Sequence, residues 1–175
     1  MNKAARALKH LKHLVMPHQH VRRPFSSKTL HAIEDAITRC EATHAGQLRF
    51  AIEGSLSWAA LLQGKTPRER ALEVFSHLRV WDTEHNNGVL IYVLLADRCV
   101  EIVADRGIAS RVPANEWEAV CHDMEAAFRS GEFKRGALAG IEAIGGLLSK
   151  HFPTQQGAAV ELPARPVVVQ SGSAH

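Results

Sequence analysis

Asp82, Asn86, Asn87 and Asp105 are the residues of this sequence whose types suit one piece of chemistry, the binding of a hard divalent cation. Carboxylates, amide carbonyls and backbone carbonyls in a glycine-containing loop are the oxygen ligands that Ca²⁺ and Mg²⁺ take. Arg106 follows Asp105 directly, and an arginine beside a bound cation can hold a phosphate oxygen. Arg106 is therefore the phosphate-binding candidate. The same residues have a plainer use: Asp82 and the asparagines can cap turns, and Asp105 can cap the next helical turn.

The run Asp82-Thr83-Glu84-His85-Asn86-Asn87-Gly88 has the look of a calcium loop, but it is not an EF-hand. The spacing fails and no bidentate glutamate sits at the required place. What gathers these residues is strand geometry. Gly88 to Leu95 is almost continuously apolar, the mark of a central strand covered on both faces. Cys99 to Ala104 forms the next strand, and the short interval makes an antiparallel hairpin. With Asp97 and Arg98 as the two turn residues, Leu90 lies opposite Asp105 and Gly88 opposite Gly107. Asn86-Asn87 then sits beside Asp105-Arg106. The strand marked by Leu48, Phe50 and Ile52 is joined to the central one through a helix, so the two run parallel. Thr43, His44 and Gln47 thereby reach the same end, with Asp82 and Thr83. Glu53, Asp97 and Arg98 collect at the opposite end.

The remaining elements follow from periodicity. Leu30, Ile33, Ile37 and Cys40 stripe a helix over about 27–43, capped by Ser26 or Ser27. Gly54 to Lys65 reads as a loop or short irregular helix, tucked onto the core by Trp58, Leu61 and Leu62. Thr66-Pro67-Arg68-Glu69 is an N-cap, a proline at the first helical position and a glutamate that reaches back. Ala71, Leu72, Phe75 and Leu78 face inward from that helix. Trp117, Val120, Cys121, Met124 and Phe128 stripe another, with Gly131 past its end. Phe133, Ala137, Ile141, Ile144 and Leu148 stripe the last, where Gly136 and Gly140 allow close packing. The fold class is α/β, a three-layer α/β/α sandwich whose small mixed sheet contains a central β-hairpin. Residues 1–25 read as a basic amphipathic N-terminal arm, 26–153 as the domain and 154–175 as a flexible C-terminal tail in which Leu162 and Val167 to Val169 dock locally.

The net charge of +3 hides an asymmetry. Lys3, Arg6, Lys9, Lys12, Arg22 and Arg23 lie in the arm, which has no acid, and they leave a mildly acidic domain behind. In the arm, Ala4, Ala7, Leu8, Leu11, Leu14 and Val15 share one helical face, up to Pro17. The pattern fits weak contact with an anionic membrane, but it fits better a solvated arm that lays its leucines on the domain or frays, because short isolated helices are marginal. His10, His13, His18 and His20 have no folded surroundings that would make them a metal site. No apolar stretch approaches the roughly 20 residues that span a bilayer, and no secretory signal is expected. Cys40, Cys99 and Cys121 are odd in number, lack metal-ligand spacing and read as buried, reduced thiols of a cytoplasmic protein that is at most peripheral to a membrane. Gly-rich phosphate-binding loops, dinucleotide fingerprints and specific nucleic-acid motifs are absent, as is a nucleophile–base–orienter set.

Asn87-Gly88-Val89-Leu90-Ile91, then Asp97-Arg98, Glu101-Ile102-Val103 and Asp105-Arg106-Gly107-Ile108 resemble the core of the TPM domain family. Glu41 to Gly46 resembles its helix-to-strand entry, and Phe128, Phe133, Gly136 and Ile141 its paired C-terminal helices. The resemblance covers about Leu30 to Pro153. Arg79 to Thr83 and Glu161-Leu162-Pro163 look like a compact bacterial subgroup without membrane anchors. The resemblance implies a mixed sheet sandwiched by helices and a cation-binding cleft for calcium. It also implies acid phosphatase activity of the kind attributed to a chloroplast relative, or a membrane-associated accessory role.

Two functions follow as expectations. One is a non-catalytic binding or assembly module whose partners are a divalent cation, Ca²⁺ or Mg²⁺, and another protein. The other is a divalent-metal-dependent phosphate monoester hydrolase, with Asp82 and Asp105 binding the cation, Asn86 or Asn87 assisting and Arg106 holding phosphate. The first makes fewer chemical demands.

Overall fold

The computed structural model describes residues 21, 23–153 and 162–170. The apolar stripe and the histidines of the arm lie outside the described residues. In chain order the elements are α1 (Ser27–Glu41), β1 (Gln47–Glu53), α2 (Trp58–Leu62), α3 (Pro67–His77), β2 (Gly88–Leu94), β3 (Cys99–Ala104), α4 (Arg106–Ala109), α5 (Ala114–Arg129), α6 (Phe133–His151) and β4 (Val167–Val169). The four strands form one sheet in the order β3-β2-β1-β4, with β1 parallel to β2 and β4, and β2 antiparallel to β3. Helices cover both faces, so the architecture is the three-layer mixed sandwich expected from the pattern.

Alternation along the strands divides the core in two. Leu48, Phe50, Ile52, Val89, Ile91, Val93 and Ile102 meet α1, α5 and α6 on one face. Phe25 joins them; its ring lies 6.1 Å from that of Phe50 and edge-on to Phe128 at 6.2 Å. Ala51, Leu90, Tyr92, Leu94 and Val103 meet α2 and α3 on the other face. α5 and α6 pack closely where Gly136 and Gly140 present no side chain: a Cβ would come within 2.8 Å of Ala127 Cβ at the first and 2.3 Å of Met124 Sδ at the second.

Some local expectations hold and others need correction. α1 ends at Glu41, and its cap is Ser26, whose hydroxyl accepts the Thr29 N–H at 3.2 Å. Gly54 to Lys65 does contain a short helix, α2, but Trp58 and Leu62 are exposed, and Leu61 is buried together with Leu56 and Ala60. On α3, Leu72 is exposed, while Val74 and Arg70 turn inward. The Thr66 capping box is present in both directions: Thr66 Oγ1 accepts the Glu69 N–H, and Glu69 Oε2 accepts the Thr66 N–H at 2.7 Å.

The hairpin turn is longer than two residues. Leu94 pairs with Cys99, so Leu95 to Arg98 form the turn, and Val89 lies opposite Ala104. The reason lies in the neighbouring strand. The Leu95 and Ala96 N–H groups donate to Glu53 O at 3.0 Å and Gly54 O at 2.9 Å, extending the ladder to β1 past the end of β2. Those amides cannot also pair with β3. The turn then closes with Arg98 N–H on Leu95 O at 3.1 Å, Arg98 lying in the left-handed region at φ 50°.

Candidate functional site

The corrected register leaves the predicted neighbourhood in place. Beyond the end of β2 and β3, Asp105 N–H donates to Gly88 O and Gly107 N–H donates to Asn86 O, both at 2.9 Å. Arg106 Nε donates to Asn86 Oδ1 at 3.0 Å. The two turns touch so closely that a Cβ at position 107 would lie 2.5 Å from the carbonyl oxygens of both His85 and Asn86. Only glycine fits there without moving one turn.

Local rules explain how the chain between α3 and β2 reaches this place. α3 ends with Arg79 N–H on Ser76 O at 3.0 Å and Val80 N–H on Phe75 O at 3.1 Å, the paired bonds of a Schellman ending. The left-handed residue is Arg79, at φ 52°, where glycine is usual. The chain then turns through Thr83 to Asn86, which itself sits at φ 52°, a conformation asparagine tolerates. Thr83 Oγ1 accepts the Asn87 N–H at 3.1 Å and fixes the entry into β2.

Asn87 is fully buried. Its Nδ2 donates to Ala45 O at 2.9 Å, which ties the end of β2 to the entry of β1. Its Oδ1 has no protein partner. Asp105 caps α4 through Oδ1, which accepts the Arg106 N–H at 2.7 Å, while its Oδ2 is buried and also without a partner. Thus the structural use of Asp105 as a cap and an available second oxygen coexist on one carboxylate. Asp82 behaves differently. It is exposed, and its Oδ2 pairs with Arg79 Nη2 at 2.8 Å.

The other residues gathered at this end have structural partners, although His44 Nδ1 is buried and without one. His44 is 1% exposed, with Nε2 3.1 Å from Cys40 Sγ. Gln47 Oε1 accepts the Leu162 N–H at 3.0 Å. Among the described residues, no group of three or more His, Cys, Asp or Glu side chains stands close enough to hold a metal ion. A cation here would draw on one carboxylate, amide oxygens, backbone carbonyls and water, which suits Ca²⁺ or Mg²⁺ and not a soft metal.

Sequence reasoning missed the other polar concentration. It placed Glu53 with Asp97 and Arg98. Glu53 does end β1 beside the 95–98 turn, but its side-chain partners come from elsewhere: 1% exposed, it receives Arg70 Nε at 2.8 Å, Arg70 Nη2 at 3.3 Å and the Tyr92 hydroxyl at 2.7 Å. Arg70 and Tyr92 face Glu53 from α3 and β2. Burial disfavours the Arg70 charge, but Glu53 outweighs it and raises the pKa. Burial and Glu53 together push the Tyr92 hydroxyl upward. This cluster borders a cleft of about 910 Å³ between α2, α3 and β4. Its charges answer one another, Arg70 also reaching Glu73 and Lys65 pairing with Glu73. The signal in sequence was a glutamate closing β1 and a tyrosine inside apolar β2, both on one face.

The family model described as the TPM domain matches residues 23–147. The fold is similar to the solution structure of the BA42 protein from the psychrophilic bacterium Bizionia argentinensis, with 31% identity and a TM-score of 0.73 over 82% of this chain and 94% of that one. It also resembles the N-terminal domain of a P. gingivalis protein, at 19% identity and TM-score 0.57 over 81% of this chain and 95% of that one. A third neighbour is the N-terminal domain of cg2496 from Corynebacterium glutamicum, at 16% and 0.52 over 74% and 78%. These last two share the fold alone. No curated protein matches the sequence. No helix among the described residues is long and apolar enough to cross a membrane. From the matched domain and the BA42 likeness together, the chain belongs to the TPM domain family.

Proposed function

We propose that this TPM-domain protein is a divalent-cation-binding module, taking Ca²⁺ or Mg²⁺ at the rim formed by Asn86, Asn87 and Asp105, with a protein partner and no catalysis of its own. The observation that carries the reading is the pair of buried side-chain oxygens, Asn87 Oδ1 and Asp105 Oδ2, that lack a protein hydrogen-bond partner. A buried acceptor left unpaired costs about 1–3 kcal/mol, and a hard cation relieves that cost. Asn86 Oδ1 and Asp82 Oδ2 are engaged by Arg106 and Arg79, so their joining the cation requires exchange of those partners.

The second reading, a metal-dependent phosphate monoester hydrolase, draws on exposed Arg106 beside this rim. In that reading the cation would neutralise phosphate charge, and Arg106 would orient the ester. Thermal unfolding of the purified protein with each ion tests the shared premise. At a hundredfold excess over the dissociation constant the expected gain is about 2.7 kcal/mol. Asp105→Asn removes most of it, and Asp82→Asn a smaller part. Absence of any shift with either ion overturns the cation site. Turnover of a phosphate monoester that disappears in Asp105→Asn would replace the module with the enzyme.

A further inference from the structure

Away from that rim, Cys40 and His44 form a second reactive grouping. Cys40 sits in the last turn of α1 with Sγ 3.1 Å from His44 Nε2. The thiol lines a groove of about 520 Å³ between α1 and α6, whose polar lining includes Arg39, Thr43, Glu142 and Ser149. Gly145 makes room for the sulfur: a Cβ there would lie 2.3 Å from Sγ. The imidazole itself is shielded, and only the sulfur end of the pair borders the groove.

The other two cysteines supply an internal contrast. All three are free and partly buried. Cys99 Sγ has a carboxylate neighbour, Glu101 Oε1 at 3.9 Å. Burial, then the charges of Glu101 and Glu125, hold the Cys99 thiol up at about 12. Burial, with added push from Glu101 and Glu125, holds Cys121 at about 11. Cys40 is also raised to about 11, by burial first and Glu41 second. Free thiolate is therefore scarce at all three near neutral pH, and it does not single one out. Geometry does: Cys40 has an imidazole nitrogen at 3.1 Å, whereas the base beside Cys99 is a carboxylate at 3.9 Å. Burial lowers the His44 pKa, opposed by the backbone of Gly46 and His44, so the ring is neutral and able to accept a proton at neutral pH.

We propose that Cys40, with His44 as its proton acceptor, is a site of covalent thiol modification by small peroxides. In the step, Cys40 Sγ attacks one peroxide oxygen, forming an S–O bond as the O–O bond breaks. The S–H proton passes to His44 Nε2 and on to the departing hydroxide, giving sulfenic acid and water. Sulfur is oxidised by two electrons and the peroxide is reduced by two. General-base assistance of this kind contributes about 10²–10⁴-fold.

The test exposes the purified full chain to hydrogen peroxide with saturating dimedone and follows each cysteine by mass spectrometry. Cys40 is expected to be labelled first. His44→Gln should slow Cys40 by at least about 10-fold while leaving Cys99 and Cys121 unchanged. Labelling of Cys40 no faster than the other two, or unaffected by His44→Gln, overturns the proposal. The pH dependence in the unmutated protein gives a measurement independent of that variant's folding. The charged groups around the pair are Arg39 and Glu41 from α1 and Glu142 from α6. The Cys40 rate should level off once the imidazole is neutral, below its ordinary 6.5. A rate that keeps climbing tenfold per pH unit toward the thiol value of about 11 overturns the role of His44.

Discussion

Arg106 Nε and Asn86 Oδ1 are joined at 3.0 Å across twenty residues of sequence, locking the turn before β2 to the turn after β3. The lock depends on the missing side chain at Gly107. Gly107→Ala should force the turns apart and cost about 1–3 kcal/mol in urea unfolding, with amide chemical-shift changes centred on His85, Asn86 and Arg106. A variant as stable as the parent with those amides unmoved would refute the close approach.

Buried Glu53 is stabilised by two partners, and removing each tests a different part. Tyr92→Phe keeps the ring and deletes one hydrogen bond to a charged acceptor, an expected loss of about 1.5–3 kcal/mol. Arg70→Met strands the carboxylate without its counter-charge, an expected loss of about 3–5 kcal/mol. Chemical denaturation with unchanged slope reads both. The order of the two losses is the sharp outcome.

Glu41 gives stability a pH dependence. Its carboxyl is raised from 4.5 to about 7, by burial first, against the opposing Leu48 N–H and Arg49. The folded protein therefore holds this proton over a range in which the unfolded chain has released it. Its contribution is fully present below about 4.5 and is lost as pH rises through about 7. Glu41→Gln should flatten the fall in melting temperature across that window, because the amide stays neutral and can still accept the Leu48 N–H.

Thr66→Ala should cost about 1 kcal/mol, since it removes the hydroxyl that accepts the Glu69 N–H. Glu69→Ala removes the reciprocal acceptor at the Thr66 N–H. The double variant should lose less than the sum, because the two bonds form one motif.

The elements that periodicity and capping specify locally were legible: the apolar β2, the Thr66 box and the paired helices with glycines at 136 and 140. So was the meeting of Asn86 and Asn87 with Asp105, because a hairpin must bring its two ends together. The turn length was not, since it depends on Leu95 and Ala96 bonding to β1, a tertiary choice. Leu72 carried part of the apolar signal of α3 yet is exposed, while Arg70 is buried beside Ala71 and Val74, because the sheet offers it Glu53. The Arg79–Asp82 pair lies three residues apart and was within reach of sequence. The Glu53–Tyr92 bond joins residues 39 apart and needed the strand pairing first.

β4 pairs only with Ala51 to Glu53 of β1. Alongside the first half of β1, side chains substitute for a ladder: Gln47 accepts the Leu162 N–H and Arg49 donates to Pro163 O. Among the described residues the sheet consequently offers an incoming chain a three-residue edge on that side, a short template for intermolecular pairing. On the β4 side, a barrier to edge-to-edge pairing thus follows from how the chain returns to its first strand.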